Sequence, residues 1–371
     1  MNQEILYTIA LTQIPQIGNI TADKLINSCQ SAEMVFKETA KNLLRIEHIP
    51  KSAIENIMSA KNTALDTARR EMDFIESNNI KVFLKSDDTY PKRLLECLDS
   101  PVVIYGKGNL NLNPKYSVSI VGTRKHTEYG SRITKKIVED LATYADLQII
   151  SGLAYGIDTI AHQVSVQQSL STVGVLGHGL NTLYPASNRQ LAEKMLANGG
   201  VLTEFLHDVS VEAHNFPKRN RIIAGMSDAI VVVEAYEKGG ALITVDIGIS
   251  YNRDIFAVPG KVGDKASEGC NSLIKSQKSA MVTSGHDIAT MMLWGDKPKK
   301  PKPKQIKLLL DLEPEEQLIV DALEQGSELN IDELLMATKI NANDLSSLLL
   351  MLEFKGIVYG LPGKRYSMSL R

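Results

Sequence analysis

The chain has 371 residues, too many for one ordinary core, and at about 150 residues per domain it divides into two or three. An apolar share of 43%, a charged share of 23% and only 25 Gly and 13 Pro exclude collagenous and low-complexity chains. A net charge of −2, from 41 basic and 43 acidic side chains, excludes a globally basic nucleic-acid binder and leaves the placement of the cations to decide. No run approaches the roughly 20 apolar residues of a membrane span. The N-terminus lacks a basic region ahead of an apolar one, so no secretory signal is expected and the default address is cytoplasmic. Cys29, Cys97 and Cys270 are odd in number and far apart, which suits neither a disulfide framework nor a zinc site.

Residues 1–75 read as short helices, with Leu43, Leu44, Ile54, Ile57, Met58 and Leu65 at helical spacing. From 80 to 295, short β-rich runs alternate with amphipathic stretches. The runs lie at 118–122, 148–151, 172–176, 201–203, 229–233, 254–258 and 281–283, with helix-length segments such as 131–144, 187–197 and 242–251 between them. Runs like IVVV are apolar on both pleat faces, as a parallel sheet covered on both sides requires. This alternation predicts an α/β doubly wound, mostly parallel sheet. Two further runs, 81–84 and 102–105, extend that sheet or its flank. A Lys/Pro-rich linker spans 296–312, with KPKKPKPK at 297–304 unable to pack; its lysines are free for solvent or for DNA. Residues 313–371 give helices at 315–324, 332–338 and 343–355 and then a hairpin, the layout of a winged helix.

In a doubly wound sheet ligands bind beyond the carboxyl ends of the strands. After the first parallel run stands Gly122-Thr123-Arg124, without the G-x-G-x-x-G of dinucleotide sites. No acid caps the next run, which ends in Ser151-Gly152, and the nearest acid beyond it, Asp158, lies about 36 residues after Gly122 where about 20 is wanted, so NAD binding is disfavoured. Bare N–H groups and one guanidinium suit a phosphate, the alternative being a plain surface arginine. The second turn carries Ser151 and Gly152, and Asp158 and His162 share a helical face, where a structural Asp–His hydrogen bond is expected over an acid/base pair. Tyr184, before a helix start near Asn188, either stacks on a base or packs. The stretch NFPKRNRIIAG places Phe216, Lys218, Arg219, Asn220 and Arg221 together, with no acid from 213 to 226. Cations supply phosphate affinity and an aromatic stacks on an unpaired base; a solvated helix face is the alternative. Gly239, Gly240 and Thr244 again put bare backbone at a helix start. Glu204 and Glu234 end the fourth and fifth parallel runs, where they form a carboxylate pair or, as we expect, orient the arginines. P-loop, zincin, C-x-x-C and G-x-S-x-G patterns are absent.

These segments resemble the bacterial DNA-processing protein A family, DprA or Smf. The resemblance runs from about 90 to 285 through YPKRL (90–94), IVGTR (120–124), SGLAYGIDTIAH (151–162), LYPASN (183–188), FPKRNRIIAG (216–225), GGALIT (239–244), FAVPG (256–260) and GCNSLI (269–274). It implies an extended Rossmann-like domain that binds single-stranded DNA, forms a homodimer, protects incoming strands and helps load a RecA-type recombinase in natural transformation. No enzymatic activity, cofactor, metal or membrane association is expected. Arg124 matches the family's phosphate-contacting arginine, and the cluster from Lys218 to Arg221 its basic stretch. The expected DNA-binding set is therefore Gly122, Thr123, Arg124, Ser151, Gly152, Tyr184, Asn188, Phe216, Lys218, Arg219, Asn220, Arg221, Gly239, Gly240 and Thr244. Residues 1–75 resemble a helix-hairpin-helix or SAM-like module, although Gln16 stands where the first hairpin glycine belongs. The winged helix is expected to serve regulation or protein binding, because its third helix is poor in cations. The segment 206–215 lacks the Pro/Gly-rich loop of the family. Two alternatives remain: a phosphoribohydrolase-type enzyme, whose PGGxGTxxE is only partly matched at 239–246, and a regulator acting through the winged helix.

Overall fold

The computed structural model describes residues 3–295, 312–326, 328–361 and 363–368. The chain forms two units, Met1–Lys300 and Pro301–Arg371. Apart from Leu312, the expected linker lies outside the described residues. No helix among the described residues is long and apolar enough to cross a membrane.

The first unit is built on nine strands: β1 Lys81–Leu84, β2 Val103–Gly108, β3 Tyr116–Val121, β4 Leu147–Ser151, β5 Ser171–Val175, β6 Gly199–Thr203, β7 Ala229–Val232, β8 Asp254–Ala257 and β9 Ala280–Met281. Their order is β1-β2-β6-β5-β4-β3-β7-β8-β9. β6 through β9 in that order pair in parallel, whereas β1 and β2 add an antiparallel edge. The chain winds outward from β3 to β6 and then returns to β3's other side as β7, which places the topological switch between β3 and β7.

Apolar residues on both pleat faces are used as the sequence predicts. Ile230 and Val232 enter one core with Ile222 and Ile223, while Val231 enters the other with Ile137 and Val164. Helices cover both faces, among them Glu128–Leu141, Ile157–Gln167, Asn215–Gly225 and Gly240–Ser250. The run 288–293 divides: Ile288 and Ala289 are buried, whereas Met291 and Leu293 are exposed.

Ahead of the sheet come helices Gln3–Thr12, Asn19–Cys29, Ala32–Lys37, Ala40–Leu43 and Lys51–Ser77. Their core continues into Leu84, Val102, Val103, Tyr105 and Leu206, so these helices share apolar contacts with the antiparallel edge. In the hairpin before the second helix, Gln16 takes the left-handed conformation (φ 64°) in which a glycine is cheaper.

The second unit has helices Pro314–Gly326, Ile331–Thr338 and Ala342–Phe354, and strands β10 Glu328–Asn330, β11 Val358–Leu361 and β12 Arg365–Met368. Asn330 and Glu333 form a capping box that starts the second helix. The helices close over Ile319, Leu323, Leu334, Leu345 and Leu349. β10 joins the wing as its third strand, a short polar segment that no apolar run announces.

Candidate nucleic-acid interface

A cleft of about 280 Å3 opens at the carboxyl ends of β3 and β7, on the switch point. Its floor depends on Gly122. A Cβ there would lie 2.6 Å from Ile157 Cγ1, so the bare backbone lets the β3 turn sit on the start of helix Ile157–Gln167. Thr123 N donates to the carbonyl of Glu234 (2.8 Å), and the Glu234 carboxylate accepts from Thr127 N (2.9 Å) and the Thr127 hydroxyl. Glu234 thus anchors the turn and the following helix, not an arginine as expected. Glu204 does take an arginine, Arg221.

The turn presents Arg124 exposed. Its guanidinium carbon lies 5.3 Å from the centroid of the Phe216 ring. Phe216 in turn meets Tyr184 at 6.2 Å, and Tyr184 meets Tyr155 at 6.3 Å. Among the described residues the ion-paired arginines are Arg69, Arg93, Arg221, Arg253 and Arg365, which leaves Arg124 without a carboxylate. One cation and three aromatic rings therefore form a continuous row over the strand ends.

The basic helix Asn215–Gly225 does not present its cations together, because successive residues turn by about 100°. Lys218 is exposed and Asn220 lines the cleft. Arg219 also lines it, but is only 4% exposed and donates to the Val175 carbonyl (2.6 Å). Arg221 points away, to Glu204 and the Asp99 carbonyl (2.6 Å). Arg221 is thus a brace between helix and sheet edge, a correction to the four-residue cluster. Burial lowers the Arg219 pKa to about 10, with Asp158 opposing the shift and Arg124 adding to it.

Three more expected contacts turn inward. The Ser151 hydroxyl donates to Ile120 O (2.6 Å). The Asn188 amide donates to Leu153 O (3.0 Å) and Thr159 Oγ1 (2.8 Å), at 5% exposure. Gly152 makes room for protein, not for a ligand: a Cβ on it would fall 2.0 Å from Arg219 Nη1. Its N–H, with that of Ala154, goes to Asp158 (3.1 and 3.4 Å). The Asp158–His162 bond is not formed; His162 Nδ1 meets Thr172 Oγ1 instead (2.7 Å).

Gly239, Gly240 and Thr244 line the cleft where helix Gly240–Ser250 begins, with Thr244 only 2% exposed. Tyr236 and Ile243 line it as well, and with Tyr155 they escaped the sequence reading. An aromatic beside a glycine turn was the signal available for both tyrosines.

A Cβ at Gly240 meets nothing within 4 Å. Gly240→Ala is accordingly expected to hold or raise the melting temperature, since Ala suits a helix by up to about 1 kcal/mol. Any polyanion seated against that backbone is expected to bind several-fold more weakly. Calorimetric melting and oligonucleotide titration on one preparation check both halves.

The cleft's surroundings match known proteins. Residues 81–293 match the family described as DNA recombination-mediator protein A, and residues 300–364 match the DprA winged helix domain. Protein Smf of Synechocystis sp. is 33% identical over 98% of this chain and 99% of its own. The X-ray structure of DNA processing protein A from Streptococcus pneumoniae superposes with a TM-score of 0.66 at 31% identity, covering 77% of this chain and 97% of that one. DNA processing protein A from Helicobacter pylori, a structure concerned with its single-stranded DNA binding mode, gives 0.53 at 24% identity, over 58% and 96%.

Proposed function

The chain belongs to the DNA recombination-mediator protein A family, and from that premise we propose that it binds single-stranded DNA along the β3–β7 cleft. The observation that carries the proposal is the row of Arg124, Phe216, Tyr184 and Tyr155. Arg124, Lys218 and the Gly240 N–H at the start of the helix take phosphates, helped by the positive end of the helix dipole. Phe216 and the two tyrosines offer ring faces to successive bases, Asn220 and Thr123 supply polar contacts, and Arg219 acts from beneath as fixed positive charge. Stacking accepts every base, so binding is largely indifferent to sequence, and counterion release makes it fall steeply with salt. Duplex DNA hides its base faces and binds more weakly at this row.

In the cell the bound strand is incoming DNA in transformation, protected from nucleases and handed to a RecA-type recombinase by a homodimer. The chain does this by binding, without a catalytic group or cofactor. Arg124→Ala combined with Lys218→Ala is expected to cost about tenfold or more in affinity for an unstructured oligonucleotide. Two lost phosphate contacts also flatten the slope of log K against log salt by about 1.4. A salt-titrated shift assay in which the double variant matches the native protein in both affinity and slope refutes this placement.

A further inference from the structure

Helix Lys51–Ser77 buries one carboxylate, Glu71, at 2% exposure. Its hydrogen bonds come from a distant residue, His207, in the loop after β6. The His207 backbone N–H reaches both oxygens at 3.1 Å, and Nδ1 reaches Oε2 at 2.6 Å. An ionised carboxylate only accepts, so Nδ1 carries the proton. Phe74, one turn further along the same helix, stacks on the imidazole at 4.2 Å with the planes 13° apart. The helical module therefore grips the loop by backbone, side chain and ring face at one point.

That loop carries the next one. Asn181 N donates to His207 O (3.2 Å), and Gly179 N donates to Val209 O (2.9 Å). Gly179 lies so close that a Cβ on it would sit 2.3 Å from His207 O. His178, 1% exposed, then closes the path: its Nδ1 donates to Gly179 O (2.9 Å), and its Nε2 accepts from Tyr184 N (3.3 Å). Tyr184 is the middle ring of the aromatic row. Leu180 and Val209 also pack on the apolar core of the helical module.

We infer that Glu71 is a positioning residue for single-stranded DNA binding, holding Tyr184 in the aromatic row through His207 and the 177–184 loop. The N-terminal module thereby serves the cleft as a brace, without itself touching a phosphate. The inference rests on the DNA-binding proposal above, and two readouts separate their failures. In the full chain, Glu71→Gln keeps the side-chain shape while weakening the acceptor for Nδ1–H, and Glu71→Ala removes it. Amide hydrogen exchange at Gly179, Asn181 and Tyr184 is expected to rise at least tenfold in Glu71→Gln, independently of any DNA. Affinity for an oligo-dT strand is expected to fall about three- to tenfold with the salt slope unchanged, because no phosphate contact is lost. Arg124→Ala, run beside it, is expected to lower both affinity and slope. If Glu71→Ala fails to fold, Glu71→Gln decides. Native exchange at those three amides overturns the brace, as does raised exchange with native affinity while Arg124→Ala binds poorly. If Arg124→Ala binds as the native chain does, the DNA reading of the cleft fails, and the exchange result alone judges the brace.

Discussion

Replacing Arg219 with Met is expected to destabilise the larger unit by about 1–3 kcal/mol, the usual cost of leaving a buried polar group without its donor. Arg219 sits in a space that exists because residue 152 has no side chain, and its neighbour in charge is Asp158, 7% exposed. Burial is the largest influence on both: it raises the Asp158 pKa and lowers that of Arg219, and each partner's charge opposes the shift of the other. Without the guanidinium, Asp158 keeps two backbone N–H donors, at 3.1 and 3.4 Å, for a carboxylate removed from water. The Val175 carbonyl also loses its donor. Two further measurements identify the cause. Adding Asp158→Asn to Arg219→Met is expected to recover part of the loss, since the stranded charge is gone. The deficit of Arg219→Met is also expected to shrink in acid. A carboxyl with a raised folded-state pKa binds more protons folded than unfolded, so stability rises as pH falls through that pKa. A deficit that is equal at pH 7 and pH 5, and unchanged by Asp158→Asn, would mean that lost packing alone explains it.

The framework of the fold is legible because burial writes itself into composition. Segments such as 229–233 are apolar on both faces, and the structure sends Ile230 and Val231 to opposite cores. The glycine turns mark the switch point: Gly122 stands where a Cβ would strike Ile157, and Gly240 starts the helix across the cleft with open space beside it. What the sequence hides is direction. Lys218, Arg219 and Arg221 read as one patch, although 100° per residue already separates Arg219 from Arg221 by some 200°. Spacing likewise suggested an Asp158–His162 pair, but each found a nearer partner off its own helix face. Glu71 and His207 lie 136 positions apart, and no local pattern can announce such a contact. Gly152 misled in an instructive way, because a glycine beside a ligand site and a glycine beside a buried guanidinium look identical in one dimension.

Acid is expected to weaken the larger unit through His162, whose pKa burial lowers to about 3, with the Arg219 charge as a smaller cause in the same direction. The bonding explains why the ring stays neutral. Thr172 Oγ1 donates to Ile149 O (3.1 Å), so at its contact with the ring it accepts, and Nδ1 carries the proton. Nε2 is buried with no partner, and protonating it would place a second N–H where nothing accepts. An imidazole with a folded pKa below its unfolded value of 6.5 binds more protons unfolded, so stability is full above 6.5 and is lost as pH falls towards 3. At about 1.4 kcal/mol per pH unit, the loss reaches about 2 kcal/mol at pH 5 and about 4 kcal/mol near pH 3. Glu204 and Asp158, with raised pKa values, push the other way, so native melting alone cannot isolate the histidine. His162→Asn can, because the amide keeps a donor for Thr172 and does not titrate. The melting temperature lost between pH 7 and pH 5 is expected to be several degrees smaller in the variant, and equal losses in both chains sink the assignment. Arg219 ties this result to the first. Removing its charge relieves part of the depression, so His162 is expected to titrate at a higher pH in Arg219→Met, visible in the imidazole C–H resonances.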